Sequence, residues 1–399
     1  MQTDVIPPKI LPPKPKHNVW SWRSQIFRGR FYQAILVLAI VAVVAFLVIN
    51  LNQNLKSRGI QSGFDFLSQP AGFDIGESLM SFDSGQPYYV AFLVGLTNTL
   101  RVAIIGIILT TLLGTIIGVG RFSRNALIRG LCRVYVEFFR NIPVLLQLLM
   151  WYILFTQVLP DAKEAWQLGS LYLSKGGLAF PIPVYATGFL TLFLGLLAGL
   201  VVAWILRNRA LASFAATGIP RSTFGVPLLA VVGCGILGWL VGGAPTTLDY
   251  PKMGEFAVEK GGSLTPEFLT VLLGLSFCTA SYVAEVVRAG IASVPAGQGE
   301  AARAVGLSQS QEMRLIMLPQ ALRVIIPPMT NQFLNLTKNS SLAVAIGYPE
   351  LVSISNTSLN QTGRAVECIA IIMAVYLFTS LSTSILMNWY NTRSAIKER

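Results

Sequence analysis

Three groups of polar residues interrupt an otherwise apolar chain, and their spacing suits recognition more than bond-making. The first is Glu300–Pro319, EAARAVGLSQSQEMRLIMLP, which lies between the apolar runs Phe268–Ala289 and Ile316–Leu336. Glu300 to Val305 are helix formers, with two small residues, Ala301 and Ala302, side by side. Gly306 supplies a residue that can take the left-handed conformation and stop the helix. Ser308 with Gln311 spells a capping box that starts a second helix, and Pro319 marks its junction with the next apolar segment. A short helix with small residues on one side suits insertion into a groove on a partner.

The second group is Asn331, Asn335 and Lys338, at offsets of four and three, which places them on one side of a helix. Polar groups in a membrane helix are costly and normally face a bundle interior or a watery cavity. Lys338 can receive a carboxylate there while the asparagines hydrogen-bond polar parts of a solute. The same residues also fit hydrogen bonds between helices, with Lys338 snorkelling to the interface. Pro327 and Pro328 should loosen this helix just below. The third group is two charge pairs, Glu137 with Arg140 and Glu285 with Arg288. Each is three apart and able to neutralise itself on a helix face, so a structural or gate-stabilising role is expected. Pro143, in mid-span, should kink its helix.

Catalysis has little to stand on. The chain has no Gly-Lys dipeptide, so no phosphate-cradling G-x-x-x-x-G-K-[ST] loop exists, and no H-E-x-x-H or C-x-x-C spacing occurs. The single histidine, His17, lies in a Pro/Lys-rich tail. Cys132, Cys234, Cys278 and Cys368 fall in or beside apolar runs, where they read as apolar fillers and not as metal ligands or disulfides.

The elements that must position these groups are membrane helices. The chain has 399 residues, of which 53% are hydrophobic and only 12% charged, with mean hydropathy +0.61. Soluble domains carry about 25% charged residues. The net charge of +12 is scattered between apolar runs, which argues for membrane topology and against nucleic acid. A spanning helix needs about 20 apolar residues. Runs near 31–50, 88–119, 132–158, 184–206, 224–243, 265–289, 317–337 and 365–389 give an all-α polytopic protein with eight spans. With both termini in the cytoplasm, twenty Lys and Arg fall on inner segments and eight on outer ones, as the positive-inside rule requires. That orientation puts Glu300 in the cytoplasm. Residues 1–30 read as a solvated Pro/Lys-rich arm, 51–87 as a periplasmic loop and 391–399 as a cytoplasmic tail. In the span 88–119, Thr99, Ala103, Gly106, Thr110, Gly114 and Gly118 form a small-residue stripe, expected to pack against a helix. Asn98 and Thr99 near its outer end are further pathway candidates, and Arg101 is expected to snorkel outward.

Glu300, Ala301, Ala302, Gly306, Ile316, Leu318 and Pro319 together resemble the coupling-loop motif of type I ABC importer permeases, with no position departing. Gly95–Leu100, Val136–Gln147, Ser281–Gly290, Leu318–Pro328 and Leu336–Leu342 resemble, in order, the polar-amino-acid branch of that family. The resemblance implies a permease transmembrane domain over 88–390 with a cytoplasmic coupling loop at 291–316. One departure is visible: about 160–263 inserts two helices into a five-helix core, and 31–50 adds one in front. This pattern is similar to the longer subunit of bacterial general L-amino-acid transporters. It implies a second, non-identical permease, two ATP-binding subunits that carry ATP and Mg, and an extracytoplasmic amino-acid-binding protein. The activity implied is alternating-access import of L-amino acids. The other class to weigh is an ion-coupled secondary transporter or channel. That class is favoured by paired broken helices in two related halves, which the sequence does not display.

Overall fold

The computed structural model describes residues 22, 25–57, 59, 62–184, 186–217, 222, 224–244, 247–254 and 258–394. Residues 1–21, 23 and 24 of the expected arm, His17 among them, lie outside these, as do Arg221 and residues 395–399, whereas residues 25–30, expected in the arm, belong to the first helix.

Apolar length decides most of the architecture. α1 (Gln25–Ser57) extends beyond the expected 31–50 at both ends, and none of its apolar window is buried against the rest of the chain. α2 (Tyr88–Gly120) carries the small-residue stripe. The span expected at 132–158 is not one kinked helix. It is α3 (Ala126–Asn141) followed by α4 (Val144–Ile153), which a π-turn prolongs through Val158, and the pair is bent by 105°. Ile142 is extended (φ −104°, ψ 129°), as a residue before proline prefers to be. Pro143 has no N–H to continue the ladder. Gln147 Nε2 donates to the carbonyls of both Phe139 and Ile142 at 2.8 Å, which satisfies two groups that the break would otherwise strand.

The inserted segment adds β-structure before and after its two helices, where the apolar runs predict none. Strands β1 (Trp166–Leu168), β2 (Leu171–Ser174) and β3 (Gly177–Phe180) form an antiparallel meander. β4 (Ile182–Pro183) leads into α5 (Ala186–Thr217), which returns as α6 (Gly225–Val241). β5 (Leu248–Asp249), β6 (Lys252–Met253), β7 (Val258–Glu259) and β8 (Gly262–Leu264) follow. β4 pairs with β5 and β6 with β7, while β8 closes the meander with Leu178 opposite Leu264. α5 and α6 pack on each other through glycines: a side chain at Gly199 would meet the Val231 backbone at 2.8 Å. Neither helix packs extensively on the other membrane helices.

α7 (Pro266–Ala292) is the centre of the bundle: 72% of its apolar window is buried, against 33% for α2. Thr265 caps it by accepting from Phe268 N–H at 3.1 Å, with Pro266 in the first turn. Then come α8 (Ala296–Ala304), α9 (Gln309–Gln311), a π-segment Glu312–Met317, and α10 (Leu318–Asn339), which stays helical through Pro327 and Pro328. A 3₁₀ segment, Ser340–Ile346, leads to α11 (Leu351–Thr362) and α12 (Ala365–Ser394). The α2 stripe is a packing surface: Gly114 and Gly118 touch Val283 and Val287 of α7, and Gly106 touches Leu336 of α10.

Residues 62–87 are more tightly held than a plain loop. Phe66 is buried among Tyr88, Phe92, Leu351 and Cys368. Arg364 reaches Asp65 at 3.1 Å, and Gly63 N–H donates to Glu367 at 2.6 Å.

Candidate functional site

The Glu300–Pro319 stretch folds as a short projecting helix with a defined stop. α8 ends in a Schellman motif: Leu307 N–H donates to the Ala302 carbonyl at 3.1 Å and Gly306 N–H to the Arg303 carbonyl at 3.0 Å. Gly306 has φ +83°, a conformation that costs any residue with a Cβ. The capping box forms in both directions. Ser308 N–H donates to Gln311 Oε1 at 2.9 Å, and Gln311 N–H to Ser308 Oγ at 3.4 Å. Arg303 lies 3.8 Å from Glu312, and Gln320 donates to Gln298 at 3.3 Å, so α8 is fastened back on the root of α10. Ala302 faces inward at 4% exposure. Glu300 and Ala301 face outward, and Val305 is 77% exposed at the tip. Leu318 and Pro319 are exposed and Ile316 half-buried. No stop occurs at Pro319: the helix from Gln309 runs on through the π-segment into α10, and Pro319 sits in the first turn of α10. The wider π-turn gives the proline ring room that a tight α-turn lacks.

On α10, Asn331, Asn335 and Lys338 are all exposed on one side, while Ile325 and Leu336 are buried in the core. A cavity of about 580 Å³ opens where α3 breaks into α4, walled by Arg140, Asn141, Thr279, Tyr282, Gln332 and Asn335. Asn335 therefore joins this cavity, whereas Asn331 and Lys338 do not line it. Asn98 and Thr99 are both buried and hydrogen-bonded. Asn98 Nδ2 donates to the carbonyls of Glu77 (2.8 Å) and Pro349 (2.9 Å). Thr99 Oγ1 accepts from Leu351 N–H at 3.2 Å, so this stretch of α2 anchors the turn before α11.

The charge pairs resolve differently from each other. Glu285 and Arg288 pair as spaced, at 2.5 Å. Glu137 is exposed and forms no ion pair with Arg140, which instead lies 4.0 Å from Glu285 of α7. Arg121, at the end of α2, also bonds Glu285. Sequence spacing could not nominate Arg121, which lies 164 positions from its partner. Arg101 does not snorkel outward. It pairs with Glu77 at 2.6 Å, with its guanidinium 4.0 Å from the Phe268 ring centroid, and Thr265 donates to the same carboxylate. Among the described residues no three His, Cys, Asp or Glu side chains gather as a metal site.

Among the described residues, five helices are by themselves long and apolar enough to cross a membrane and the bent α3–α4 pair makes a sixth apolar stretch of that length; with the shorter apolar α6 and with α10 packed on α7, the bundle is that of a multi-pass membrane protein. The sequence model of the binding-protein-dependent transport system inner membrane component family matches residues 110–395, and the chain belongs to that family. It is a multi-pass protein of the bacterial inner membrane. It is 46% identical to the general L-amino acid transport system permease protein AapQ of Rhizobium johnstonii, over 96% of this chain and 98% of that one. It is 42% identical to the putative amino-acid ABC transporter permease protein YhdX of Escherichia coli, over 95% and 97%. Identity is 37% to the glutamate/glutamine/aspartate/asparagine transport system permease protein BztB of Rhodobacter capsulatus, over 94% and 95%.

Proposed function

We propose that the chain is one permease subunit of an ATP-driven L-amino-acid importer, with both termini in the cytoplasm. It works beside a second, non-identical permease, on two ATP-binding subunits that hold ATP and Mg, and receives its amino acid from an extracytoplasmic binding protein. Closure of the ATP-binding subunits moves α8, and the bundle switches between outward- and inward-facing states. The observation that carries this reading is the α8 turn. An isolated nine-residue helix is too short to persist in water by itself. This one is stopped by Gly306, fastened to α10, and left with Glu300, Ala301 and Val305 facing out, a small-residue surface with one apolar tip. The names of the three relatives support the amino-acid substrate. Glu300→Lys or Gly306→Asp, in the complete importer reconstituted in vesicles, is expected to stop ATP-driven uptake while the subunit still inserts. Normal uptake by either variant would end the coupling assignment.

A further inference from the structure

We infer that the β1–β2–β3–β8 sheet rests on the bilayer surface, with Trp166, Leu168 and Leu171 seated among the lipid headgroups of the leaflet opposite α8. Residues directly opposite in a ladder share a face of the sheet, and so do residues two apart in a strand. Trp166, Leu173, Leu178 and Leu264 therefore form one row, with Leu168 and Leu171 a second row beside it on the same face. The reverse face carries Gln167, Tyr172, Ser174 and Ser263. One side of the sheet is thus a continuous apolar surface without charge, and the other is polar.

Half of the apolar side already has a partner. Leu173, Leu178 and Leu264 pack against Phe155, Leu159 and Leu269. Phe155 lies in the π-turn that ends α4, Leu159 just after it, and Leu269 in the first turn of α7. That contact therefore marks the level at which two apolar helices leave the membrane, at the end of α7 remote from α8. Toward β1 the same face runs out past the bundle: Leu171 is 38% exposed, Trp166 61% and Leu168 79%. An apolar surface continuous with one seated on the ends of membrane helices, and level with it, meets lipid next. Tryptophan is the residue most at home at that boundary. Strand edges facing water are normally guarded by charge, and Trp166-Gln167-Leu168 carries none. The depth is set by the backbone. β1 is the outer strand, and its unpaired N–H and C=O groups cannot enter hydrocarbon, so the sheet stays in the wet headgroup layer with its apolar side chains directed inward. The same sheet carries the α5–α6 hairpin, since β3 leads through β4 into α5 and β8 closes the return from α6.

The test places a nitroxide label on Leu168→Cys or, as the control on the reverse face, on Gln167→Cys. The full chain is used in the complete importer, in phosphatidylcholine vesicles, first without and then with the amino-acid-binding protein. Cys132 and Cys234 are replaced by Ala, and Cys278 and Cys368 are buried. Collisions of the label with oxygen, which concentrates in lipid, are compared with those of a water-soluble nickel chelate present on both sides. The oxygen-to-nickel ratio is expected to be severalfold higher at 168 than at 167 and to stay so when the binding protein is added. Leu171→Cys should behave as 168 does, and adding Leu168→Asp to it should lower its ratio by lifting the strand. Leu168 is mostly exposed, so neither change at that position removes packing within the chain. The inference is overturned if nickel reaches 168 as freely as 167, which makes the face a water-exposed one. It is equally overturned if neither reagent reaches 168, or if only the binding protein shields it, since a protein partner then covers the face. The label reads lipid contact in either orientation of the chain and without any uptake, so failure of the importer reading would leave this result standing.

Discussion

Gly114 leaves no room for a side chain in the α2–α7 seam. A Cβ built there would lie 2.6 Å from Cβ and Cγ1 of Val283 and 2.9 Å from the Ala280 carbonyl oxygen. Carbon atoms pack at about 3.5–4.0 Å, so the seam would have to open by about 1 Å to admit one methyl group. Val283 Cβ cannot rotate out of the way, because it is bonded to the backbone. Overpacking of this kind costs about 1–3 kcal/mol. Replacing a helical glycine by alanine returns about 1 kcal/mol of propensity. Gly114→Ala should therefore destabilise by up to about 2 kcal/mol net. Gly130, in the second turn of α3, has open space where a Cβ would stand, with nothing within 4 Å, and is the control. Gly130→Ala should stabilise by up to about 1 kcal/mol. Reversible unfolding of the purified chain in mixed micelles, followed by circular dichroism, reads both. If Gly114→Ala proves as stable as Gly130→Ala, the seam is not close-packed and the α2–α7 pairing is wrong.

Three further outcomes follow from the geometry. Arg101→Met strands Glu77, whose side chain is only 10% exposed, and should cost about 3–5 kcal/mol in the same unfolding measurement; adding Glu77→Gln should recover much of it. Gly306→Ala forces a Cβ into φ +83° and should cost about 1–2 kcal/mol locally, seen as faster hydrogen exchange over 296–307 with global stability unchanged. Glu350 caps α11 by accepting from Val352 and Ser353 N–H, and burial pushes its carboxyl up to about 7 against those two bonds. A carboxyl raised in the fold binds more protons folded than unfolded between pH 4.5 and 7, so it favours the fold most at low pH. The stability of wild type relative to Glu350→Gln should accordingly fall as pH rises from 4.5 to 7 and level off above; a flat or rising difference would contradict the burial.

Legibility in the sequence tracked the distance over which each feature is decided. The α8 stop was readable because Gly306, Ser308 and Gln311 make their bonds within five residues of one another. The spans were readable because apolar length is a property of the segment itself. Pro143 announced a deformation but not its size; the 105° break needs Gln147, four positions on, to satisfy the freed carbonyls. A proline followed at that spacing by a buried amide is a signal that could have been used. The strands at 166–180 were also within reach, since Gly169 and Gly176–Gly177 punctuate three short apolar runs at hairpin intervals. The polar partners were out of reach. Spacing of three allowed both Glu137–Arg140 and Glu285–Arg288, yet only the second forms, and the carboxylate nearest Arg140 is that of Glu285 on another helix, at 4.0 Å. Arg101 finds Glu77 in a preceding loop, and Asn98 finds Pro349 at a separation of 251 residues. In an apolar solvent such groups must find each other wherever they lie along the chain. In this bundle, therefore, the polar contacts that hold it together are set by tertiary packing, and the ones that project from it are set by local sequence.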